Sequence, residues 1–402
     1  MKYVLIVGCG NRAIEMFIKP IIRMESAEKY SIYALCDTNK KRMDYVRSKI
    51  PYEVKTYTNL YEINDISNVD YCIITTRDCY HAEIAKYLAL QGVKVICEKP
   101  LAISIEQCKD LLSIKNQLVN IKVAFNSRYM PINKAIKEIF DSKELGKIKY
   151  VNYNWHIDKK HGAEYFRRWH KNKRASGGML VHKACHHFDL VNWWLKDYPL
   201  SVMAKESLEV FGPKNGVRGA AKCRQCNLKC DFKMTEKQGQ EFKRLYFDNE
   251  DCDKYFRDGC VYDSEVDIYD TMSVIVNYAK GTCLNYSLIM YAEKFSWDMS
   301  VVGTDGEMQI HFDNFSKKNF INIFKNEEIK RIAIEKNNRK HEGADENLRK
   351  RLFIDEENDD LDVVEGVYSV VIGILADISN RENRCINIEE YLEEQECKES
   401  EL

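Results

Sequence analysis

A short segment near the middle of the chain carries the densest set of side chains that can move protons. Ser176 to Asp189 reads S-G-G-M-L-V-H-K-A-C-H-H-F-D, in which His182 and His186 stand four residues apart. Within a helix predicted over 182–195, that spacing places both imidazoles on one face. Asp189, one turn beyond His186, is positioned to orient an imidazole and hold its tautomer. The pattern therefore favours general acid–base chemistry.

A second interpretation of the same histidines is a metal site. Two histidines at this spacing are common metal ligands, but the glutamate of an H-E-x-x-H motif is absent and no third ligand suggests itself. Lys183 and His187 form a further pair, four residues apart on an adjoining stripe. Acid–base chemistry is the favoured interpretation, and we expect Lys183 and His187 to contact substrate.

The N-terminus carries a glycine motif suited to a dinucleotide. An apolar run leads directly into G-C-G-N-R-A, from Gly8 to Ala13. Gly8 permits a tight turn, Gly10 leaves room for a pyrophosphate, and Ala13 lets the following helix pack closely on the strand. The backbone N–H groups of Asn11 and Arg12 then face the phosphates at the helix N-terminus.

The choice of dinucleotide depends on the residues that follow the second predicted strand. Asp37 ends that strand, 27 residues after Gly10. A carboxylate there accepts hydrogen bonds from a ribose 2′-hydroxyl and repels a 2′-phosphate, so we expect NAD rather than NADP. Lys40, Lys41 and Arg42 follow closely and are able to bind a phosphate, which keeps NADP as the alternative.

Alternating strands and helices must position these candidates. In the first 126 residues, apolar runs alternate with helical periodicity, which predicts βαβ units with right-handed crossovers and a doubly wound parallel sheet. Pro20 is expected to kink or split the first helix. The predicted strands are Tyr3–Gly8, Ser31–Asp37, Val69–Thr76, Val93–Pro100 and Ile121–Asn126, and the later helices are Lys40–Lys49, His81–Gln91 and Ser104–Leu118.

The remainder of the chain has alternating β-rich segments joined by turn residues. This pattern predicts hairpins and a C-terminal α/β domain with a large open, mainly antiparallel sheet. We expect the open face to meet a cofactor or a subunit partner. The predicted strands lie within Lys147–Ile157, Met272–Ala292, Met299–Phe312 and Phe320–Glu335, and helices are predicted at Pro131–Ser142, His182–Leu195 and Val363–Arg381.

These elements divide the chain into an NAD-binding Rossmann domain at 1–123, a substrate and oligomerisation domain at 124–390 and an acidic tail at 391–402. The second domain contains a cysteine-rich insertion at about 215–262. Four thiolates from its five cysteines would make a zinc site or hold an iron–sulfur cluster. Unliganded or oxidised thiols are the equal alternative. The five are Cys223, Cys226, Cys230, Cys252 and Cys260.

Composition narrows the class of protein. The 402 residues include 61 lysines and arginines and 62 acidic residues, a net charge of −1. This balance gives no general attraction to nucleic acid or to an anionic membrane. No run approaches the roughly 18 apolar residues of a membrane span. Fifteen cysteines without a secretory signal indicate reduced thiols and a cytoplasmic location.

Five motifs occur along the chain in a fixed order. They are Gly8-x-Gly10-x-x-Ala13, Thr75-Thr76-x4-His81, Glu98-Lys99-Pro100, Asn126-x-Arg128 and Gly177-Gly178-x3-His182-x3-His186-x2-Asp189. The sequence thereby resembles the glucose–fructose oxidoreductase/inositol dehydrogenase (Gfo/Idh/MocA) family over nearly its whole length, to about Asn387. The resemblance implies a Rossmann domain, an open-sheet α/β domain, a tightly held nicotinamide cofactor, and dimers or tetramers.

The resemblance also implies roles for individual residues. Lys99 resembles the active-site lysine and His186 the catalytic histidine, while His182 stands where many members have aspartate. A neutral His182 supplies no fixed negative charge, but it is able to relay a proton. The residues expected around the cofactor are Gly8, Gly10, Asn11, Arg12, Ala13, Asp37, Thr75, Thr76, His81, Glu98, Lys99 and Asn126.

Substrate contacts are expected from Arg128 and from the aromatic, basic segment Gly162–Arg174, for which a solvated basic loop is the alternative. The polar loop His341–Asp345 is expected to close the site. The full set of expected substrate contacts is Arg128, Tyr165, Arg168, Trp169, Lys183 and His187, with His170 beside them.

The predicted function is nicotinamide-dependent oxidation or reduction of a carbinol in a sugar, cyclitol or sugar derivative, with Lys99 and His186 in proton transfer. One alternative is a redox-neutral glycosidase or lyase that recycles its NAD. Another is a non-catalytic NAD-binding regulator, which the presence of both Lys99 and His186 disfavours. We expect a homodimer or homotetramer with a small sugar-like substrate, and no nucleic-acid or membrane partner.

Overall fold

Six parallel strands form the first of two sheets in the computed structural model, which describes residues 1–23, 29–234, 239–336, 339–355 and 362–393. The strand order is β3-β2-β1-β4-β5-β6. The chain adds strands on one side of β1 as far as β3 and then continues on the other side from β4, so the order reverses between β1 and β4. This order confirms the predicted Rossmann sheet, whose ligand crevice lies at the carboxyl ends of β1 and β4. The strands are β1 Lys2–Val7, β2 Tyr30–Cys36, β3 Lys55–Tyr57, β4 Tyr71–Ile74, β5 Lys94–Cys97 and β6 Ile121–Val123.

The first helix shows how the chain accommodates Pro20. The backbone is α-helical at Asn11–Ala13 and again at Lys19–Ile22, and the segment between them, Ile14–Ile18, is a π-helical turn. The predicted interruption of the helix therefore takes the form of a wider turn. Pro20 has no N–H to donate, and the guanidinium of Arg349 donates to the Met16 carbonyl at 3.4 Å. The other helices of this half are Lys40–Arg47, His81–Leu90 and Ile105–Leu112, with 3-10 turns at Leu60–Glu62, Ile66–Asn68, Asp78–Tyr80, Lys115–Asn120 and Asn126–Tyr129.

Nine strands form the second sheet, in the order β14-β13-β12-β11-β7-β10-β9-β8-β15. Only β7 and β10 pair in parallel; the remaining neighbours are antiparallel, which confirms the predicted mainly antiparallel sheet. The strands are β7 Ile148–Asp158, β8 Pro199–Ser207, β9 Thr271–Tyr278, β10 Cys283–Ala292, β11 Ser296–Gly303, β12 Glu307–Asp313, β13 Lys318–Lys325, β14 Glu328–Glu335 and β15 Ile386–Asn387.

One long helix, Val363–Glu382, joins the two halves of the molecule. A side chain at Gly373 would come within 2.5 Å of the Leu180 carbonyl oxygen, so the missing Cβ lets this helix approach the chain just before His182. The helix is long and apolar enough to cross a membrane, but its most apolar stretch is 61% buried inside the protein. The burial is that of a core helix.

Shorter helices and turns surround the second sheet. They are Pro131–Ser142, Lys159–Arg167, Lys173–Ser176, Met179–His182, Cys185–Leu195, Gln240–Leu245, Glu250–Asp253, Ala344–Lys350 and Ile388–Glu393, with a π-helical turn at Arg351–Asp355 and 3-10 turns at Trp169–Lys171, Cys223–Gln225, Phe247–Asn249 and Lys340–Gly343. Most of the predicted acidic tail, from residue 394, lies outside the described residues.

The predicted continuous helix over 182–195 is wrong. Helix Met179–His182 ends at Lys183, and a new helix begins at Cys185. His182 and His186 therefore do not share one helical face. The break has a chemical consequence, because it leaves the carbonyl of His182 free to accept a hydrogen bond from outside the helix.

Candidate active site

The glycine turn at the end of β1 has the shape that a dinucleotide requires. Gly8 has φ of +92°, and a Cβ there would lie 2.7 Å from the Thr75 carbonyl, so this position accepts no side chain. The Thr75 hydroxyl donates to the Gly8 carbonyl at 2.7 Å and fixes the turn against β4. A Cβ on Gly10 would meet nothing closer than 3.9 Å, which leaves space above the turn. Ala13 is fully buried beneath it.

Asp37 lies beside this turn and is held by backbone groups. Its carboxylate accepts hydrogen bonds from the N–H groups of Cys9 and Asn39, each at 2.7 Å. Burial raises the pKa of Asp37, while the guanidinium of Arg42, 3.7 Å away, opposes that rise. The carboxylate that is predicted to accept a hydrogen bond from the ribose is thus fixed at the glycine turn.

The three basic residues that follow are already paired. Lys40 contacts Asp44 at 2.7 Å, Lys41 contacts Asp251 at 2.9 Å, and Arg42 contacts Asp253 at 2.7 Å. Arg42 also donates to the Leu245 carbonyl at 3.2 Å. With their charges matched by carboxylates, these residues present no unpaired cation for a 2′-phosphate.

Lys99 follows β5 and points its ammonium at the broken helix. Its Nζ donates to the free carbonyl of His182 at 2.8 Å. Next to it, Glu98 accepts from Arg12 at 2.6 Å, which ties the end of β5 to the glycine turn. His81 is 1% exposed, and its ring nitrogens bind the carbonyls of Pro100, at 2.7 Å, and Thr76, at 3.3 Å. His81 therefore braces the Lys99 turn from behind.

A carboxylate that the sequence did not indicate, Asp78, lies beside His182, whose carbonyl holds Lys99. Asp78 Oδ2 lies 2.5 Å from His182 Nδ1, and both side chains are buried. Burial and the Lys99 ammonium lower the pKa of His182 well below its ordinary value, and burial raises the pKa of Asp78. A hydrogen bond between these two atoms requires one proton between them, so His182 brings an acid with it.

His186 sits on the next helix, with its ring against Phe125 at 6.2 Å between centroids. Its Nδ1 lies 3.4 Å from the Ser127 hydroxyl, while Nε2 makes no hydrogen bond within the described part of the chain. Burial and the charge of Lys99 lower the pKa of His186 well below its ordinary value. The ring is neutral at physiological pH and its Nε2 is available to accept a proton.

The loop His341–Asp345 contacts the Rossmann side of the site through Asp345. Asp345 accepts hydrogen bonds from Asn126 at 2.7 Å and Arg12 at 3.1 Å. Its other oxygen lies 2.8 Å from His341. Although burial opposes it, the hydrogen bond to His341 and the charge of Arg12 hold the pKa of Asp345 well below its usual range.

Aromatic side chains from Gly162–Arg174 form a wall next to His182. Trp169 stacks on His170 at 3.8 Å between ring centroids, and His170 lies 4.3 Å from His182. The ring of Tyr165 lies 5.6 Å from that of His182. The structure therefore places these rings around His182, whose carbonyl holds Lys99.

Other predicted contacts lie in the framework of the protein. Arg128 is 2% exposed and binds Asp189 at 2.6 and 2.9 Å and Glu365 at 2.6 Å. Asp189 thus orients an arginine, which corrects its predicted role beside the imidazoles. His187 is buried, stacks on Trp155 at 3.8 Å and binds the Tyr286 hydroxyl at 2.6 Å.

Lys183 lies at the same indole face. Its ammonium is 5.7 Å from the centroid of Trp155. Burial lowers the pKa of Lys183. This lysine and His187 therefore share Trp155 as a neighbour.

The cysteine-rich insertion contains no metal centre that the structure supports. Among the described residues, which include all five predicted ligands, no group of three or more histidine, cysteine or acidic side chains is placed to hold a metal ion. The thiols are free. Burial raises the pKa of Cys260, with Cys223 and Cys230 adding to the effect.

The insertion instead covers the cofactor crevice, which no sequence pattern had indicated. The hydroxyl of Tyr246 accepts a hydrogen bond from the Asn11 N–H at 3.0 Å, at the position expected to bind a pyrophosphate. Asn39 donates to the carbonyl of Asn249 at 3.1 Å. These contacts join residues more than 200 positions apart and depend only on the tertiary fold.

Comparison with known proteins agrees with this geometry. The Gfo/Idh/MocA model described as an oxidoreductase family with an NAD-binding Rossmann fold matches residues 2–124. The model of the C-terminal α/β domain of the same oxidoreductase family matches residues 137–387. The two matches together span most of the chain.

Individual relatives extend the comparison. YteT of Bacillus subtilis (strain 168), named as an oxidoreductase, is 32% identical over 412 residues, covering 93% of this chain and 94% of YteT. An inositol 2-dehydrogenase of Salmonella paratyphi B is 27% identical over 168 residues, 41% of this chain and 47% of that enzyme. The fold also matches the crystal structure of aldose-aldose oxidoreductase from Caulobacter crescentus, with a TM-score of 0.64, 14% identity and coverage of 96% of this chain and 99% of the other. The chain belongs to the Gfo/Idh/MocA family of NAD-binding oxidoreductases.

Proposed function

We propose that this protein oxidises or reduces a carbinol of a sugar, cyclitol or sugar derivative with NAD, and that Lys99 and His186 handle the hydroxyl proton. The observation that carries the proposal is the Lys99 ammonium fixed at the His182 carbonyl, 2.8 Å away, where the Rossmann sheet meets the helices of both histidines. The relative named inositol 2-dehydrogenase supports a polyol substrate.

Residues of the glycine turn would hold the dinucleotide. The backbone N–H groups of Asn11 and Arg12 suit the pyrophosphate, and Asp37 suits a ribose hydroxyl. Thr75 and Thr76, both partly exposed, end the neighbouring strand at the same crevice. When bound, NAD supplies the acceptor or donor of a hydride.

Lys99 and His186 divide the proton chemistry. The neutral His186 takes the hydroxyl proton on Nε2 as the carbinol is oxidised, and returns it in the reverse direction. Lys99 donates a hydrogen bond to the same oxygen and stabilises the charge that develops there. Asp78 and His182, which share one proton, hold the carbonyl that positions Lys99.

We also propose that NAD is preferred to NADP. The supporting observation is that Lys40, Lys41 and Arg42 are each paired with a carboxylate. A 2′-phosphate would approach Asp37 without an unpaired cation to receive it. Titration of the protein with the two dinucleotides tests this preference, and equal affinities would contradict it.

The outer face of the second sheet supports the proposed homo-oligomer. Ile275 on β9 is 44% exposed and Val302 on β11 is 37% exposed. Apolar side chains on an open sheet face are suited to meet a second copy of the chain. Sedimentation at micromolar protein concentration tests this, since a monomer would contradict it.

A substrate screen tests the proposed function. The purified protein is mixed with NAD⁺ and a panel of free sugars, cyclitols, uronic acids and aryl glycosides, and NADH absorbance is followed. We expect NADH to accumulate with at least one free polyol. Release of an aglycone without NADH would establish the redox-neutral glycosidase instead, and turnover of nothing in the panel would contradict both.

A further inference from the structure

Three arginines from separate parts of the chain meet around one tyrosine. Arg168 Nε and Arg257 Nη1 both donate to the hydroxyl of Tyr255, at 3.1 and 3.3 Å. The guanidinium of Arg77, which directly follows the Thr75-Thr76 pair, lies 5.6 Å from the centroid of the same ring. The cysteine-rich insertion thus contributes both Tyr255 and Arg257 to this arginine cluster.

The cluster carries positive charge without a matching carboxylate. Within the described ranges, none of its three guanidinium groups lies within 4.0 Å of an acidic side chain. Arg257 Nε is buried and has no hydrogen-bond partner. Although burial opposes it, the two guanidinium groups lower the pKa of Tyr255. A buried N–H group normally has a hydrogen-bond partner, so the unpartnered Nε of the half-buried Arg257 indicates a ligand.

The cluster lies on the substrate side of the site. Arg168 directly precedes Trp169 and His170, whose rings stack. His170 in turn lies 4.3 Å from His182, and the His182 carbonyl holds Lys99. Burial lowers the pKa of His170, and the charges of Arg168, Lys99, Arg257 and Arg77 add to the effect, so the arginines and Lys99 lie around the same ring. A polyol held at Lys99 is therefore able to present a further substituent to the arginines.

We infer that the substrate carries an oxyanion, a carboxylate or a phosphate, which Arg168 and Arg257 bind. This rests on the proposed function and narrows its substrate class to acidic or phosphorylated sugars and polyols. Arginine presents two parallel N–H groups that match the two oxygens of such an anion. The cofactor pyrophosphate is the competing occupant, because the Tyr246 hydroxyl already accepts from the Asn11 N–H of the glycine turn; measurement of NAD⁺ affinity distinguishes the two.

The inference also gives the insertion a role. By supplying Arg257, it completes the substrate site and acts as a specificity element. Its contacts to Asn11 and Asn39 keep it over the crevice, where Arg257 lies 4.6 Å from the centroid of Tyr246.

Matched substrate pairs test the inference. With saturating NAD⁺, kcat/KM is measured for D-glucuronate, D-galacturonate and D-glucose 6-phosphate against D-glucose and D-galactose, in wild type, Arg257→Gln and Arg168→Lys. We expect at least one anionic member to exceed its neutral partner by 10-fold or more in wild type. Loss of a charged hydrogen bond should then lower that anionic substrate's kcat/KM by about 10- to 100-fold relative to its neutral partner in either variant. The carboxylate and phosphate arms identify which anion is preferred.

Controls separate this inference from a folding effect and from the proposed function. Arg244→Gln removes an exposed arginine of the same insertion and should leave every value unchanged. NAD⁺ affinity should be equal in all variants; a weaker affinity with unchanged substrate preference would assign the cluster to the pyrophosphate and overturn the inference. Equal or better turnover of neutral sugars would also overturn it.

A binding measurement covers the case of no turnover. Thermal shifts of the NAD⁺-saturated protein are recorded with the same compounds. If an acid or phosphate stabilises wild type but not Arg257→Gln, the inference holds although the proposed function fails. If no anionic compound binds, the inference fails.

Discussion

Two charge clusters of the molecule differ in how completely their charges are matched. In the framework cluster, Arg128 is bound by Asp189 and Glu365 and is 2% exposed. In the reactive cluster, Lys99 has one acceptor among the described residues, a neutral carbonyl. A fully paired ion stabilises the fold, whereas an incompletely paired cation in a crevice remains available to a ligand.

Removal of Lys99 should have the largest effect. If the reactive cluster performs chemistry, Lys99→Ala should lower kcat by about 10²–10⁴-fold while NAD⁺ affinity and thermal stability stay near wild type. Steady-state NADH formation and a cofactor titration measure these quantities. Lys94→Ala, which removes an exposed lysine of the preceding strand β5, is the control. Near-wild-type turnover in Lys99→Ala would contradict the view that the cluster around Lys99 performs chemistry while the cluster around Arg128 stabilises the fold.

Removal of Arg128 should show the opposite behaviour. Arg128→Ala leaves Asp189 buried without its partner, so the free energy of unfolding should fall by about 3–5 kcal/mol. Urea denaturation measures the loss, and the exposed Lys134 provides the control substitution to alanine, expected to change stability by less than about 0.5 kcal/mol. A stable Arg128→Ala protein with a raised KM would show instead that Arg128 binds substrate.

Asp78 offers a sharper test inside the reactive cluster. Asp78→Asn keeps the size of the side chain but removes the acid that shares a proton with His182. We expect kcat to fall about 100-fold, the lower end of general acid–base effects, with a displaced pH profile. Activity is normalised to the folded fraction. If only the melting temperature of Asp78→Asn changed, Asp78 would stabilise the fold, as Arg128 does, and would have no part in the chemistry.

Tyr246 should give the smallest effect. Its hydroxyl occupies the Asn11 N–H, so bound NAD⁺ must share or displace that contact. Removing a hydrogen bond worth about 1 kcal/mol should tighten NAD⁺ binding by roughly 5-fold in Tyr246→Phe. Calorimetric titration measures this, with the exposed Tyr80 changed to phenylalanine as control. Weaker binding in Tyr246→Phe would show that the hydroxyl assists the cofactor.

These contrasts also show what sequence alone could predict. The glycine turn and the strand order follow from local patterns, because Gly8 and Ala13 act on their immediate neighbours. The prediction of one continuous helix failed at Lys183, where the helix is interrupted and the His182 carbonyl accepts a hydrogen bond from Lys99. Tyr246 was missed because its hydroxyl meets the distant Asn11 N–H, and Arg257 was missed because the arginine cluster forms only when the insertion packs against Arg168 and Arg77.

Asp78 illustrates an intermediate case. It stands two residues after Thr76, within a motif that had been recognised, yet nothing in the spacing indicates that it meets His182. Likewise, Asp189 follows His186 by one helical turn but pairs with Arg128. Spacing along a helix limits which neighbours are possible, and packing decides among them.

The pH dependence of kcat in wild type and His186→Ala tests the central claim most directly. Because burial and Lys99 lower the pKa of His186, the ring is neutral above that pKa and able to accept a proton. We predict that oxidation falls only on the acid side, at pH below the ordinary histidine value of about 6.5. His186→Ala should lose this limb together with about 10²–10⁴-fold of kcat, unlike the exposed His311→Ala. An unchanged rate and acid limb in His186→Ala would contradict the assignment of His186 as the proton acceptor.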